Sequence, residues 1–118
     1  MVDVVVIGAG VVGCMIAREL SRFDLDVLVL EKEDDVGCGT SKANSAVIHA
    51  GYDAPPGTLK AEFNVRGDAM FDELCEELDI PFRRIGSLVV AVREDDMKEL
   101  KKLLERGRDN GVSPDRKS

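Results

Sequence analysis

At 118 residues the chain has room for one modest domain. Its composition, 44% hydrophobic and 33% charged with 4% aromatic residues and no tryptophan, is that of an ordinary soluble α/β protein. The formal net charge of −7 argues against nucleic acid as a partner, since that affinity comes mainly from lysine and arginine on phosphates.

The run DVVVIG, Asp3 to Gly8, is β-branched and short, and reads as a strand buried on both faces. Glycines follow at once, and then Val11 to Phe23, where Val12, Ile16 and Leu20 recur at helical spacing and mark a buried stripe. DVLVLE, Asp26 to Glu31, is a second strand of the same kind. Strand, glycine turn, helix and strand together predict a βαβ unit with a right-handed crossover. Pro55, Pro56 and Gly57 then punctuate the chain. Leu59, Phe63, Met70, Leu74 and Leu78 trace a helical face from Thr58 to Leu78, ending before Pro81, with Gly67 a sign of close packing inside it. IGSLVVAV, Ile85 to Val92, predicts a strand. EDDMKELKKLLERG predicts an amphipathic helix with an acidic first turn, stopped by Asn110 and Gly111. The expected organisation is residues 1–57 as the start of a nucleotide-binding domain, 58–111 as helix–strand–helix leading into a substrate domain, and 112–118 as a polar tail.

Two parallel strands are too few to cover a doubly wound sheet, so the chain is expected to be an N-terminal fragment of a larger enzyme. It carries no run approaching the roughly 20 apolar residues of a transmembrane helix. MVDVVVIGAG lacks the basic region and cleavage site of a signal peptide, so a cytoplasmic location is expected. Cys14, Cys38 and Cys75 are odd in number and unpaired in spacing, which predicts reduced thiols and no metal site.

GAGVVG places Gly8, Gly10 and Gly13 in the dinucleotide-binding pattern. The first glycine allows a tight turn, the second lets backbone approach a pyrophosphate, and the third lets the helix pack close to the strand. Glu31, closing the second strand, is placed to accept hydrogen bonds from the two hydroxyls of an adenosine ribose, and disfavours a 2′-phosphate. The pattern itself leaves FAD and NAD open, because both carry the same adenosine diphosphate half. A turn that binds nothing, or a module that only senses ADP-like ligands, is the alternative of another class. GTSKANSAVIHAGY, Gly39 to Tyr52, holds the only histidine and the only tyrosine. Its small and hydroxyl-bearing residues suit either an extended ligand or a serine-capped short helix.

From Val2 to Gly111 the sequence resembles the N-terminal part of FAD-dependent oxidoreductases of the D-amino-acid-oxidase superfamily. The run VVVIGAGVVGCMIARELSRFDLDVLVLEKE looks like that group's FAD-binding start. NSAVIHAGYDAPPGTLKAEFNVRG and GSLVVAV resemble bacterial glycerol-3-phosphate dehydrogenases of the anaerobic type, and also L-2-hydroxyglutarate dehydrogenases. Ala43 stands where the latter typically carry a histidine, and YDA follows Gly51 where they carry two tyrosines, so the glycerol-3-phosphate group is the nearer. The implied fold is a Rossmann-like FAD-binding βαβ unit followed by the start of an α+β substrate domain.

The resemblance implies FAD as cofactor, with Gly8, Gly10 and Gly13 at the pyrophosphate and Glu31 at the ribose. Lys32 would lie beside the adenosine, and Thr40, Ser41, Asn44 and Ser45 near the pyrophosphate and ribityl chain. His49 would lie toward the flavin, as a positioning group or, less in keeping with a lone histidine, in proton transfer. Lys42 is a phosphate contact or solvated, and Arg83 and Arg84 face an anionic substrate or water. The implied substrate is glycerol 3-phosphate or a 2-hydroxy acid, with a quinone or partner protein as electron acceptor. The catalytic base and most substrate contacts would come from sequence outside these residues. Alone, the chain is expected to be inactive and prone to self-association, and the complete enzyme is expected to be cytoplasmic, with a peripheral place at the membrane as the further option.

Overall fold

The computed structural model describes residues 1–113, which form two compact units, Met1–Val47 and Ile48 onward. Most of the expected polar tail 112–118 lies outside the described residues, and the expected boundary at residue 57 falls inside the second unit.

The first unit is a βαβ arrangement. Strands β1 (Val4–Ile7) and β2 (Val27–Leu30) pair in parallel, with Val4 opposite Val27 and Ile7 opposite Leu30. Helix α1 (Val11–Leu20) makes the crossover. Asp3 ties the start of β2, its carboxylate accepting from the Asp26 N–H at 2.9 Å while its own N–H donates to Asp26 O. The β-branched runs thus form the parallel ladder their composition favours. Their burial differs from expectation. Only Val6 is buried in the two strands, and Val12 and Ile16 on α1 are exposed, because no described residue covers those faces.

The second unit holds α2 (Leu59–Glu77) and α3 (Asp96–Asp109). Thr58 starts α2: its hydroxyl accepts from the Ala61 N–H at 3.2 Å and donates to Pro55 O at 2.7 Å. The cap satisfies one of the amides that a helix start leaves unpaired. Asp79 ends the helix in the left-handed region at φ 52°, with the Ile80 N–H reaching back to Cys75 O. Of the expected face on α2, only Leu74 is partly covered, whereas Ala61 and Cys75 are buried. A Cβ at Gly67 would meet nothing within 4 Å, so that glycine marks no close contact.

Residues 85–92 do not form the expected strand. They run without a ladder among the described residues, and a β-strand needs a neighbour to pair its alternate N–H and C=O groups. Arg84, just before them, is pinned to α2. Its guanidinium donates to both oxygens of Asp72 and of Asp68 and to Asp68 O, and lies 5.3 Å from the Phe82 ring centre. The Arg84 donor bonds hold the Asp72 carboxyl below the usual carboxylate range. Arg84 is therefore committed within the unit, and Arg83 remains exposed.

Candidate functional site

The site is built at the carboxyl ends of β1 and β2, where α/β sheets bind their ligands. Gly8 turns the chain at φ +99°, a conformation side chains disfavour, and its N–H donates to Leu30 O at 2.7 Å. Gly13 is the most tightly enclosed of the glycines: a Cβ there would stand 1.9 Å from the Gly8 carbonyl oxygen. The start of α1 can lie this close to the β1 turn only because Gly13 has no side chain. Gly10 ends the turn, and a Cβ there would meet Ser41 Oγ at 3.2 Å.

The loop after β2 closes onto this turn through three bonds. Glu31 Oε2 accepts from the Ala9 N–H at 2.7 Å, the Gly37 N–H donates to Ala9 O at 2.8 Å, and Ser41 Oγ accepts from the Val11 N–H at 2.8 Å. Gly37 makes its bond from φ +69°. Ala9, at the centre of these ties, is 3% exposed. Ser41 thus serves as the cap of α1 that Gly10, lacking a side chain, cannot supply. The first intrahelical bond is made by the Cys14 N–H, so the helix start keeps amides aimed outward beside Ser41.

Glu31 Oε1 also accepts from the Lys32 and Glu33 N–H groups, at 2.8 and 3.1 Å. The Ala9 N–H, with those of Glu33 and Lys32, holds its carboxyl below the usual carboxylate range. A carboxylate offers about four lone-pair sites. Backbone donors use three of them, which leaves room for one ribose hydroxyl directly and for the second only if an amide lets go.

A cleft of about 480 Å³ lies over this arrangement, and its lining includes Gly8, Gly10, Glu31, Lys32, Thr40 and Ser41. Six of the residues singled out in the sequence are therefore brought together. Gly13 supports them from behind. Asn44 and Ser45 do not line the cleft: the Asn44 side chain is spent on its own turn, donating to Ser41 O and accepting from the Ala46 N–H at 2.7 Å. Ala46 takes φ 52° there. Lys42 is exposed, and Lys32 pairs with Glu33 at 3.1 Å. His49 is exposed and belongs to the second unit. Three contributors were not singled out from sequence: the Ala9 backbone, Gly37, and Cys38, which lines the cleft. The first glycine in VGCGT, Gly37, was the available signal for one of them.

The geometry fits the pyrophosphate and ribose of a dinucleotide such as FAD. It offers a glycine cradle that any Cβ at Gly10 would crowd, helix-start amides, a hydroxyl whose hydrogen is free to donate, and one carboxylate. No group of three or more histidine, cysteine, aspartate or glutamate side chains suited to a metal ion occurs among the described residues. No helix there is long and apolar enough to cross a membrane.

The chain is similar to several known proteins. The chain is 63% identical over 112 residues to a glycerol 3-phosphate dehydrogenase of Caloramator mitchellensis, covering 95% of this chain and 23% of that protein. It is 46% identical over 112 residues to the mitochondrial L-2-hydroxyglutarate dehydrogenase of Arabidopsis thaliana, covering 95% of this chain and 23% of the relative. The solved structure of dithionite-reduced L-alpha-glycerophosphate oxidase from Mycoplasma pneumoniae, with FAD bound, superposes with a TM-score of 0.82 at 35% identity, over 94% of this chain and 29% of that one. The chain thus spans about a quarter of the length of these relatives. The family model for FAD dependent oxidoreductases matches residues 3–117, and the chain belongs to that family.

Proposed function

We propose that this chain is the FAD-holding portion of a glycerol-3-phosphate dehydrogenase, which oxidises sn-glycerol 3-phosphate to dihydroxyacetone phosphate. The observation that carries the cofactor is the closure of Glu31 and Ser41 onto the Gly8–Gly13 turn. The substrate rests on the higher identity to a glycerol 3-phosphate dehydrogenase, 63% against 46% for an L-2-hydroxyglutarate dehydrogenase.

When bound, FAD supplies the hydride acceptor for the carbon bearing the secondary hydroxyl. The residues of this chain bind and orient. Gly8 and Gly10 give the pyrophosphate its backbone approach, and Gly13 keeps the helix start beside it. Ser41 accepts one hydrogen bond from the Val11 amide and would give its own hydrogen to a phosphate oxygen. Glu31 would hold the ribose, with Lys32 beside the adenosine and Thr40 near the pyrophosphate and ribityl chain. Asn44 and Ser45 act through the shape of their loop. His49 is assigned a positioning role. A quinone or a partner protein takes the electrons onward, and the catalytic base lies outside these residues.

The second reading, a dehydrogenase of L-2-hydroxyglutarate, draws on the similarity to that enzyme. Anaerobic mixing of the flavoenzyme that carries this chain with each substrate separates the two. Glycerol 3-phosphate is expected to bleach the flavin faster, and faster bleaching by L-2-hydroxyglutarate would sink the substrate assignment while leaving the cofactor in place.

A further inference from the structure

The turn between β1 and α1 is held at Ala9 from both sides. Glu31 Oε2 accepts from the Ala9 N–H at 2.7 Å, which fixes the peptide joining Gly8 to Ala9. The Ala9 carbonyl oxygen accepts from the Gly37 N–H at 2.8 Å and from Cys14 Sγ, a weaker donor, at 3.4 Å. Those bonds fix the peptide joining Ala9 to Gly10. That peptide is trans, so its carbonyl and its N–H point in opposite directions. With Ala9 O drawn to Gly37, the Gly10 N–H is turned away from Gly37. No described residue accepts from it, and the neighbouring Val11 N–H is already given to Ser41 Oγ. Gly10 lines the cleft, whereas Ala9 is buried.

Gly37 makes its bond through backbone conformation and not through small size. A Cβ there would meet nothing nearer than Ser41 Cβ at 3.9 Å, an ordinary contact, so a side chain has room. What a side chain would disturb is φ +69°, the left-handed conformation from which the N–H reaches Ala9 O.

We propose that Gly37 is a positioning residue for the cofactor: it locks the Ala9–Gly10 peptide so that the Gly10 N–H meets the pyrophosphate. The proposal rests on the FAD-holding function above and deepens it. Gly37 touches no phosphate in this role and acts through Ala9. A turn with glycine on both sides of Ala9 has little of its own to fix a peptide plane, because glycine tolerates many backbone angles. The loop after β2 supplies the direction that the glycine motif leaves open.

The test uses the flavin-free form of the flavoenzyme that carries this chain, with Gly37→Asn, Gly37→Ala and Gly37→Val. Competition against FAD uptake by ADP and by adenosine reads two parts of the site apart, because only ADP carries the pyrophosphate. ADP affinity should fall most in Gly37→Val, less in Gly37→Ala and least in Gly37→Asn. Asparagine enters the left-handed region most readily of the three, and β-branched valine least. Gly37→Val should weaken ADP about tenfold or more, the loss of a hydrogen bond to a charged group, and adenosine by less than about twofold. Asparagine is larger than alanine, so losses that follow side-chain size would overturn the proposal. Equal loss of ADP and adenosine would make the glycine structural only and overturn it too, as would undiminished ADP affinity. Should Gly37→Val fail to fold, Gly37→Ala carries the same comparison. A wild-type protein that takes up no FAD would instead overturn the function on which the proposal rests.

Discussion

Glu31 joins the end of one strand to the turn that follows the other, and its protonation state matters for both. Its folded pKa lies below the ordinary value of 4.5 because the Ala9 N–H and two neighbouring amides favour the carboxylate. A depressed pKa means that the stabilisation is present above pH 4.5 and is lost as pH falls through the lower folded value. FAD affinity of the flavoenzyme should therefore weaken on acidification below that point. Glu31→Gln should lower the affinity about ten- to hundredfold at neutral pH, the effect of losing a hydrogen bond to a charged group, and should flatten the acid dependence. Flavin-release titrations giving equal affinities for the two proteins would take Glu31 out of the ribose role. Gly8, Gly10, Gly13 and Glu31 were all legible in the sequence, because each follows from a local motif with one geometric demand. The Ser41 bond to Val11 was not, since it spans thirty positions and depends on how the loop after β2 folds back.

Helices were read well where the chain carries its own punctuation. Thr58 caps α2, Asp95 precedes α3, and Asn110 with Gly111 ends it, all within a few residues of the boundaries expected from capping and stop signals. Burial was read less well. The stripe of Val12 and Ile16 has helical period but no cover, and periodicity reports which face is apolar rather than what lies against it. Residues 85–92 have strand composition but no ladder, for the same reason. Gly67 is a related case: it suggested a close contact, yet its surroundings are open and its helix is continuous. Gly67→Ala should therefore stabilise α2 by about 0.5–1 kcal/mol, the helix-propensity difference between the two residues. A higher urea midpoint with an unchanged slope is the expected result, and a lower midpoint would mean that something does pack against that position.

Across the molecule, apolar side chains outnumber the places to put them. Among the described residues the buried hydrophobic ones are Val6, Ala9, Ala54, Ala61 and Cys75, none of them large, while Ile7 is 86% exposed and Leu88 85%. The 118-residue chain alone is expected to bind FAD weakly or not at all and to self-associate through its uncovered sheet and strand-like run. Equilibrium dialysis giving about submicromolar affinity, together with a monomer in sedimentation, would contradict both halves of that expectation; tight binding at this level corresponds to roughly 8 kcal/mol or more. The small buried set also governs how the chain comes apart. Heat-capacity change and denaturant sensitivity scale with the surface that unfolding newly wets. Here most apolar side chains of the sheet, Val5, Ile7, Leu28, Val29 and Leu30, are wet already. Calorimetry on the dilute chain should trace a broad, shallow melt with little step in baseline, and it should sharpen only when another surface dries those side chains.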